Sequence, residues 1–246
     1  SIASGPTQCD KSSYQDAINI LKKYRVWTST PENIKRHFTS GTMGLVTETL
    51  KNDDELTGIN SFEIIASNSL SVKSVAQAIY DSDYDLKQTI QALEGEANTV
   101  AIKLLNRFNS LLFPSPNSAI ALIAGGETTV SLGKNPGKGG RNQELALAFA
   151  INAEKIGLKG QWCFISAGTD GRDGPTDAAG GVVDNQSLNR MRSQGINPEE
   201  ALKKHESYLA LKSSHDLVIT GATGTNVADL QILLWKPIYT SGDQYV

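Results

Sequence analysis

Ile120-Ala121-Leu122-Ile123-Ala124-Gly125-Gly126-Glu127-Thr128-Thr129 reads as a short apolar strand running into a polar glycine turn. The pattern recurs twice downstream. Trp162-Cys163-Phe164-Ile165-Ser166 leads into Gly168-Thr169-Asp170-Gly171-Arg172-Asp173-Gly174-Pro175-Thr176-Asp177-Ala178-Ala179-Gly180-Gly181, and Leu217-Val218-Ile219 leads into Gly221-Ala222-Thr223-Gly224-Thr225-Asn226. Between the first two blocks lies Gly137-Lys138-Gly139-Gly140-Arg141-Asn142-Gln143, followed by a strongly apolar helical run from Gln143 to Ile156. Strands alternating with helices predict an α/β fold. Ligands of open α/β sheets collect at the carboxyl ends of strands, so three polar-glycine loops that each follow an apolar strand are expected to converge on one edge.

Outward from that window, Ser12-Ser13 is expected to cap a helix with Tyr14, Ala17, Ile18, Leu21 and Tyr24 at helical spacing. Thr30-Pro31-Glu32 opens a second helix that stops near Gly41. Residues 42–60 read as a surface loop, Phe62 to Ala66 as a strand, and Ser67-Asn68-Ser69 as the entry to a helix carrying Leu70, Val72, Val75, Ala76 and Ile79. A strand over 86–93 and a helix over 94–112 follow. Phe113-Pro114-Ser115-Pro116-Asn117-Ser118 looks like a linker. It divides the chain into a first α/β domain (1–113), a second (114–236) and a tail (237–246). Thr128 to Leu132 is expected as the hairpin partner of the 120–124 strand. Short helices are expected near 187–194, 198–204 and 207–212, with Leu230 to Trp235 closing the sheet.

The 246 residues suffice for one large or two modest domains. Net charge is −3, so no bulk positive charge draws the chain to nucleic acid or an anionic membrane. No run approaches the roughly 20 apolar residues of a membrane span. Cys9 and Cys163 form no disulfide framework or zinc cluster, which suits a reducing compartment such as the cytoplasm. The chain begins Ser1-Ile2-Ala3 without Met, so a mitochondrial address upstream stays open.

Residues 125–181 hold 13 of the 22 glycines, a backbone suited to tight turns and close approach. Lys138, Arg141 and Asn142 stand before a helix, where N–H groups and the positive dipole end favour an anion. The stretch is neither a Walker P-loop nor a Rossmann fingerprint. Asp170 and Asp173, in a glycine-bracketed loop, suit holding Mg²⁺ on a nucleotide or accepting a hydroxyl proton; Asx-turn carboxylates are the structural alternative. Asp177 is expected to cap the turn at Ala178-Ala179. Glu127 is expected either to hold substrate or metal or to buttress Arg141. Thr225 and Asn226 are candidates for phosphate or ribose, and Asn68 and the Ser4-Gly5-Thr7 loop are weaker binding candidates. His37 and His215 read as structural or exposed, and His205 as a helix cap, with a place near the site as the alternative. No Gly-x-Ser-x-Gly elbow marks a hydrolase.

Gly-Gly-Glu-Thr-Thr, Gly-Lys-Gly-Gly-Arg-Asn-Gln-Glu-Leu-Ala, Gly-Thr-Asp-Gly-x-Asp-Gly-Pro-Thr-Asp-Ala-Ala-Gly and Thr-Gly-x-Thr-Gly-Thr-Asn-Val, in this order across 123–234, resemble the MOFRL-type glycerate 2-kinases. Ile2 to Thr7, Ala66-Ser67-Asn68 and Leu93 to Ala97 resemble that family's larger domain, which is Rossmann-like. The resemblance implies two α/β domains, the N-terminal one incomplete, and ATP-dependent phosphorylation of the 2-hydroxyl of D-glycerate with Mg²⁺. By motif, Arg141 matches the family's active-site arginine, and Asp170 or Asp173 its acidic loop. It implies small-molecule substrates and leaves a homo-oligomer open. The family's catalytic lysine and Gly-Gly-Gly-Ser loop have no counterpart here, so the chain resembles a C-terminal part and is expected to have little activity alone. His205-Glu206 stands where the family usually has Asn-Asp. Hydroxypyruvate reductase, and a non-catalytic module that binds a phosphate ligand, are the alternatives.

Overall fold

The computed structural model describes residues 9–51, 63–112 and 118–238. The chain forms two compact units, Ser1–Ile64 and Ile65–Val246.

In the first unit, α1 (Tyr14–Lys23) starts from a capping box. The Ser13 hydroxyl accepts from Asp16 N–H, and the Asp16 carboxylate accepts from Ser13 N–H. Pro31 stands immediately before α2 (Glu32–Thr42). Tyr14 meets His37 edge-on, with ring centroids 5.5 Å apart, and the Phe38 ring lies alongside. Residues 63–67 form no strand, although one was expected over 62–66. Phe62 lies outside the described residues, and Ile65 is 88% exposed, with no strand paired to it among the described residues.

In the second unit, α3 (Asn68–Tyr80) starts at the expected helix entry, where Ser67 Oγ accepts from Leu70 N–H. A six-stranded mixed sheet follows: β1 (Asp85–Glu96), β2 (Ile120–Thr129), β3 (Gln161–Gly168), β4 (Gly180–Asp184), β5 (Leu217–Val218) and β6 (Asp229–Lys236), in the order β1-β2-β6-β3-β4-β5. β1 and β2 are parallel; β6 runs antiparallel to both β2 and β3. Thr128 and Thr129 therefore extend β2 along β1 rather than fold back as a hairpin partner. β6 is interior, not the closing edge, because it pairs on both sides. β4 had been read as loop; its glycines pair with Ala167 and Ser166.

Alternation along the strands sorts the two faces. Ile120, Leu122, Phe164, Leu233 and Trp235 enter the larger core, under α4 (Ala97–Leu111), α5 (Arg141–Lys155), α6 (Ser187–Ser193), α7 (Pro198–Lys203) and α8 (Ser207–Ser213). Ala121 and Ile123 face α3 through Val72 and Ile79. α5 is buried almost all round, as expected of a helix in the middle of a layer. Phe149 on α5 stacks on Phe164 of β3 at 4.1 Å. The boundary expected at 113/114 lies within this unit, where β1 and α4 share sheet and core with β2 and α5. Residues 113–117 of the expected 113–118 linker and 239–246 of the expected 237–246 tail lie outside the described residues. Among those described, no helix is long and apolar enough to cross a membrane.

Candidate active site

Register brings the polar loops to one edge, as the strand-end argument expects. Gly126 of β2 and Gly168 of β3 both stand opposite Asp229, the first residue of β6. Gly180 opens β4 beside Val218 at the end of β5. The segments after β2, β3 and β5 therefore leave the sheet together.

Arg141, the first residue of α5, reaches across this edge. Its Nε–H donates to Asp229 Oδ2 at 2.7 Å and its Nη2 to Oδ1 at 2.9 Å, a two-pronged pair with a fully buried carboxylate. Its Nη1 lies 3.4 Å from Glu127 Oε1. The hydrogen bond to Asp229 holds the guanidinium's pKa above its usual value, with the charges of Glu127 and Asp173 adding to it. Asp229 fixes the Nε side of the fork, which leaves the Nη1–Nη2 edge for another oxyanion.

Asp229 was not singled out from the sequence. The carboxyl-end rule points only to strands that end at the site, whereas β6 runs the other way and presents its amino end there. Parity then decides the direction of its side chain. Asp229 lies on the same face as Gln231, Leu233 and Trp235, the face covered by α5. An acid at the start of an apolar strand, directly behind a glycine loop, was the available signal.

Asp170 lies close by. A Cβ on Gly168 would sit 3.1 Å from Asp170 Oδ1 and 3.5 Å from Asp229 Oδ1, so both carboxylates flank the same glycine. Asp170 Oδ1 accepts from Arg172 N–H at 2.9 Å, the Asx turn weighed above. Gly171 has φ +83, and any Cβ there would strike Gly221 O. Glycine is thus required where the β3 and β5 loops interlock. Thr223 N–H donates weakly to Asp170 O at 3.4 Å.

Asp173 is held differently from Asp170. It is buried, and its oxygens accept from Asn142 N–H (3.1 Å), Gln143 N–H (2.9 Å) and Gln143 Nε2 (2.9 Å). The α5 N-terminus, expected to receive a substrate anion, already holds this carboxylate. Gly140 permits the approach, since a Cβ there would strike the Asp173 carboxyl. Burial pushes the Asp173 pKa up against the hydrogen bonds that lower it. Asp173→Ala should destabilise the protein by about 2–4 kcal/mol in urea unfolding, through a lost cap and stranded buried donors. A change below about 1 kcal/mol would reject this capping role.

The remaining candidates separate. Asn142 is buried and structural: its Oδ1 accepts from Ser166 Oγ at 2.6 Å, and Gln231 Nε2 donates to the same hydroxyl at 3.3 Å. Lys138 lies over the Tyr208 ring, its Nζ 4.1 Å from the ring centre. Asp177 does not cap its turn; it accepts from Tyr208 Oη at 2.7 Å, and Thr176 Oγ1 takes Ala178 N–H instead. Asn68 Nδ2 donates to Val227 O (2.9 Å) and Asp229 O (2.8 Å), pinning the β6 entry to α3. Thr225 and Asn226 are exposed on the β5–β6 loop, where Asn226 Oδ1 accepts from Ala228 N–H at 3.3 Å. Ser4 lies outside the described residues. A half-open cavity of about 210 Å³, lined by Ala153, Leu158, Trp162 and Leu188, is at the opposite end of α5 from Arg141.

Arg141 thus stands among Asp229, Glu127 and Asp173, with Asp170 beyond, an excess of acid over base at the site. An anionic ligand would enter more readily with a cation. Asp170 suits Mg²⁺, which takes one or two carboxylates and completes its shell with phosphate and water; the fully hydrogen-bonded Asp173 does not. Among the described residues, no group of three or more His, Cys, Asp or Glu could hold a metal unaided.

Comparison with known proteins places this arrangement. The profile described as MOFRL family matches residues 120–229, and that described as Domain of unknown function (DUF4147) matches residues 1–39. Glycerate 2-kinase of Pyrococcus horikoshii is 38% identical over 95% of this chain and 52% of its own length. An Agrobacterium vitis protein with the provisional name hydroxypyruvate reductase is also 38% identical, over 95% and 51%. The crystal structure of glycerate kinase from Thermotoga maritima superposes with a TM-score of 0.76 at 38% identity, covering 96% of this chain and 53% of that one. The chain spans about half the length of these relatives. It carries a match to the MOFRL-family model within a stretch homologous to the glycerate 2-kinases.

Proposed function

We propose that the polar edge is part of a phosphoryl-transfer site, in which ATP phosphorylates the 2-hydroxyl of D-glycerate to give 2-phosphoglycerate and ADP. The observation that carries this is the Arg141 fork, fixed by buried Asp229, whose carboxylate shares the Gly168 turn with that of Asp170. Phosphoryl transfer needs alignment and charge neutralisation more than a covalent nucleophile. Arg141 holds the transferring phosphoryl or the glycerate carboxylate. Asp170 holds the metal or receives the hydroxyl proton. Thr225 and Asn226 supply exposed polar groups for phosphate or ribose. Mg²⁺ bound with the nucleotide would be held on the protein side by Asp170 and would supply charge neutralisation for the transferring phosphoryl.

The test is ADP release from ATP and D-glycerate with Mg²⁺. The chain alone should give near-background turnover. A chimera adding the stretch of the P. horikoshii relative that this chain does not match should be active. Hydroxypyruvate-dependent NADH oxidation by that chimera, without ADP release, would overturn the kinase reading in favour of the reductase.

Glu127 makes a finer point. It is 60% exposed and occupies the Arg141 edge that an oxyanion would need. Glu127→Gln should tighten 2-phosphoglycerate binding to the chimera by about two- to fivefold, the scale of one exposed ion pair. Weaker binding in calorimetry would show instead that Glu127 itself holds ligand or metal.

A further inference from the structure

The turn after α7 and the glycine loop before α5 lie face to face. Gly137 N–H donates to Lys204 O at 2.8 Å, and Tyr208 N–H to Lys138 O at 3.1 Å. A Cβ on Gly137 would run into the Glu206 side chain, and one on Gly139 into Ser207 Oγ. One side-chain pair crosses the same seam: His205 Nδ1 lies 2.9 Å from Glu144 Oε2. His205 takes φ 56, a left-handed backbone few non-glycine residues adopt. Glu144 is buried in the first turn of α5, three residues beyond Arg141. Its other oxygen accepts from Asn98 Nδ2 at 3.2 Å.

We propose that the Glu144–His205 pair is a positioning strut for Arg141, clamping the first turn of α5 and the 137–140 loop onto the 204–208 turn. Its use in catalysis rests on the kinase reading above. The physical argument is the cost of a buried carboxylate that loses a partner. The groups facing Glu144 are His205 from the α7–α8 turn, Asn98 from α4 and the repelling Glu96 at the end of β1. Burial pushes the Glu144 carboxyl up. Without His205 the carboxylate must take a proton or move toward water, carrying the start of α5 with it.

The test uses His205→Ala and the double variant His205→Ala/Glu144→Gln in this chain, with amide hydrogen exchange and the Arg141 Nε–H NMR signal as readouts. His205→Ala should speed exchange at Gly137 and Tyr208 by at least about tenfold at neutral pH and move the Arg141 signal. A carboxyl held above its usual range destabilises its surroundings as pH rises through its folded pKa and ceases to do so below its unfolded value. The acceleration should therefore shrink as pH falls toward 4.5, the ordinary glutamate value. The double variant should return to within about twofold of wild type, because a neutral amide needs no partner charge. A pair acting only by filling space would show no rescue. Absence of rescue, or an Arg141 signal unmoved in His205→Ala, overturns the strut. An Arg141 signal that follows the variants in this chain but, in the chimera, ignores added 2-phosphoglycerate supports the strut and overturns the kinase reading alone.

Discussion

Asp229→Ala should lower the stability of the chain by about 3 kcal/mol, measured by urea unfolding. Breaking a buried ion pair by removing one partner costs about 3–5 kcal/mol. The low end applies because the Arg141 side chain remains 30% exposed, so water can reach part of the stranded charge. The carboxylate itself is wholly buried, and both its oxygens serve Arg141. Removing both partners should cost less than the sum of the single changes, since the charges are coupled. Asp229→Asn should cost less than alanine, because the amide still offers one acceptor to the fork. A loss below about 1 kcal/mol for Asp229→Ala would mean that Arg141 has other partners, and Asp229 would no longer count as what fixes its direction.

Arg141→Ala should lower turnover of the chimera by at least about 10²-fold, the scale for removing a preorganised charge stabiliser. The loss should fall mainly on kcat if the guanidinium holds the transferring phosphoryl, and on KM as well if it holds the glycerate carboxylate. Arg141→Lys should recover little. A lysine offers a point charge where Asp229 and a second oxyanion need a planar fork. An unchanged rate in Arg141→Ala would retire this residue from the mechanism.

The convergence of the loops was legible in the sequence because apolar strands that end in glycine and polar residues carry their own direction. α5 was legible too, from an apolar run too long for a strand, and so was the entry to α3 at Ser67-Asn68-Ser69. What escaped depends on long-range pairing. β6 shows no sign in its own residues that it runs antiparallel between β2 and β3, yet that direction alone brings Asp229 to the site. Gly180-Gly181 reads as loop until Ser166 and Ala167 are known to lie opposite. Asp173 and Asp170 are alike in local sequence; only packing shows that one caps α5 while the other stays at the edge. Glu144 and His205, 61 positions apart, carry no spacing signal at all.

The arrangement stands or falls on whether the Arg141 fork receives the reacting anion. A crystal structure of the chimera with D-glycerate, Mg²⁺ and a non-hydrolysable ATP analogue measures this. The account requires the Nη1–Nη2 edge of Arg141 within hydrogen-bonding distance, about 2.7–3.2 Å, of a γ-phosphate or glycerate carboxylate oxygen, with Asp170 on the metal side of that anion. A nucleotide and glycerate bound elsewhere, with Arg141 still facing only Asp229 and Glu127, would contradict it.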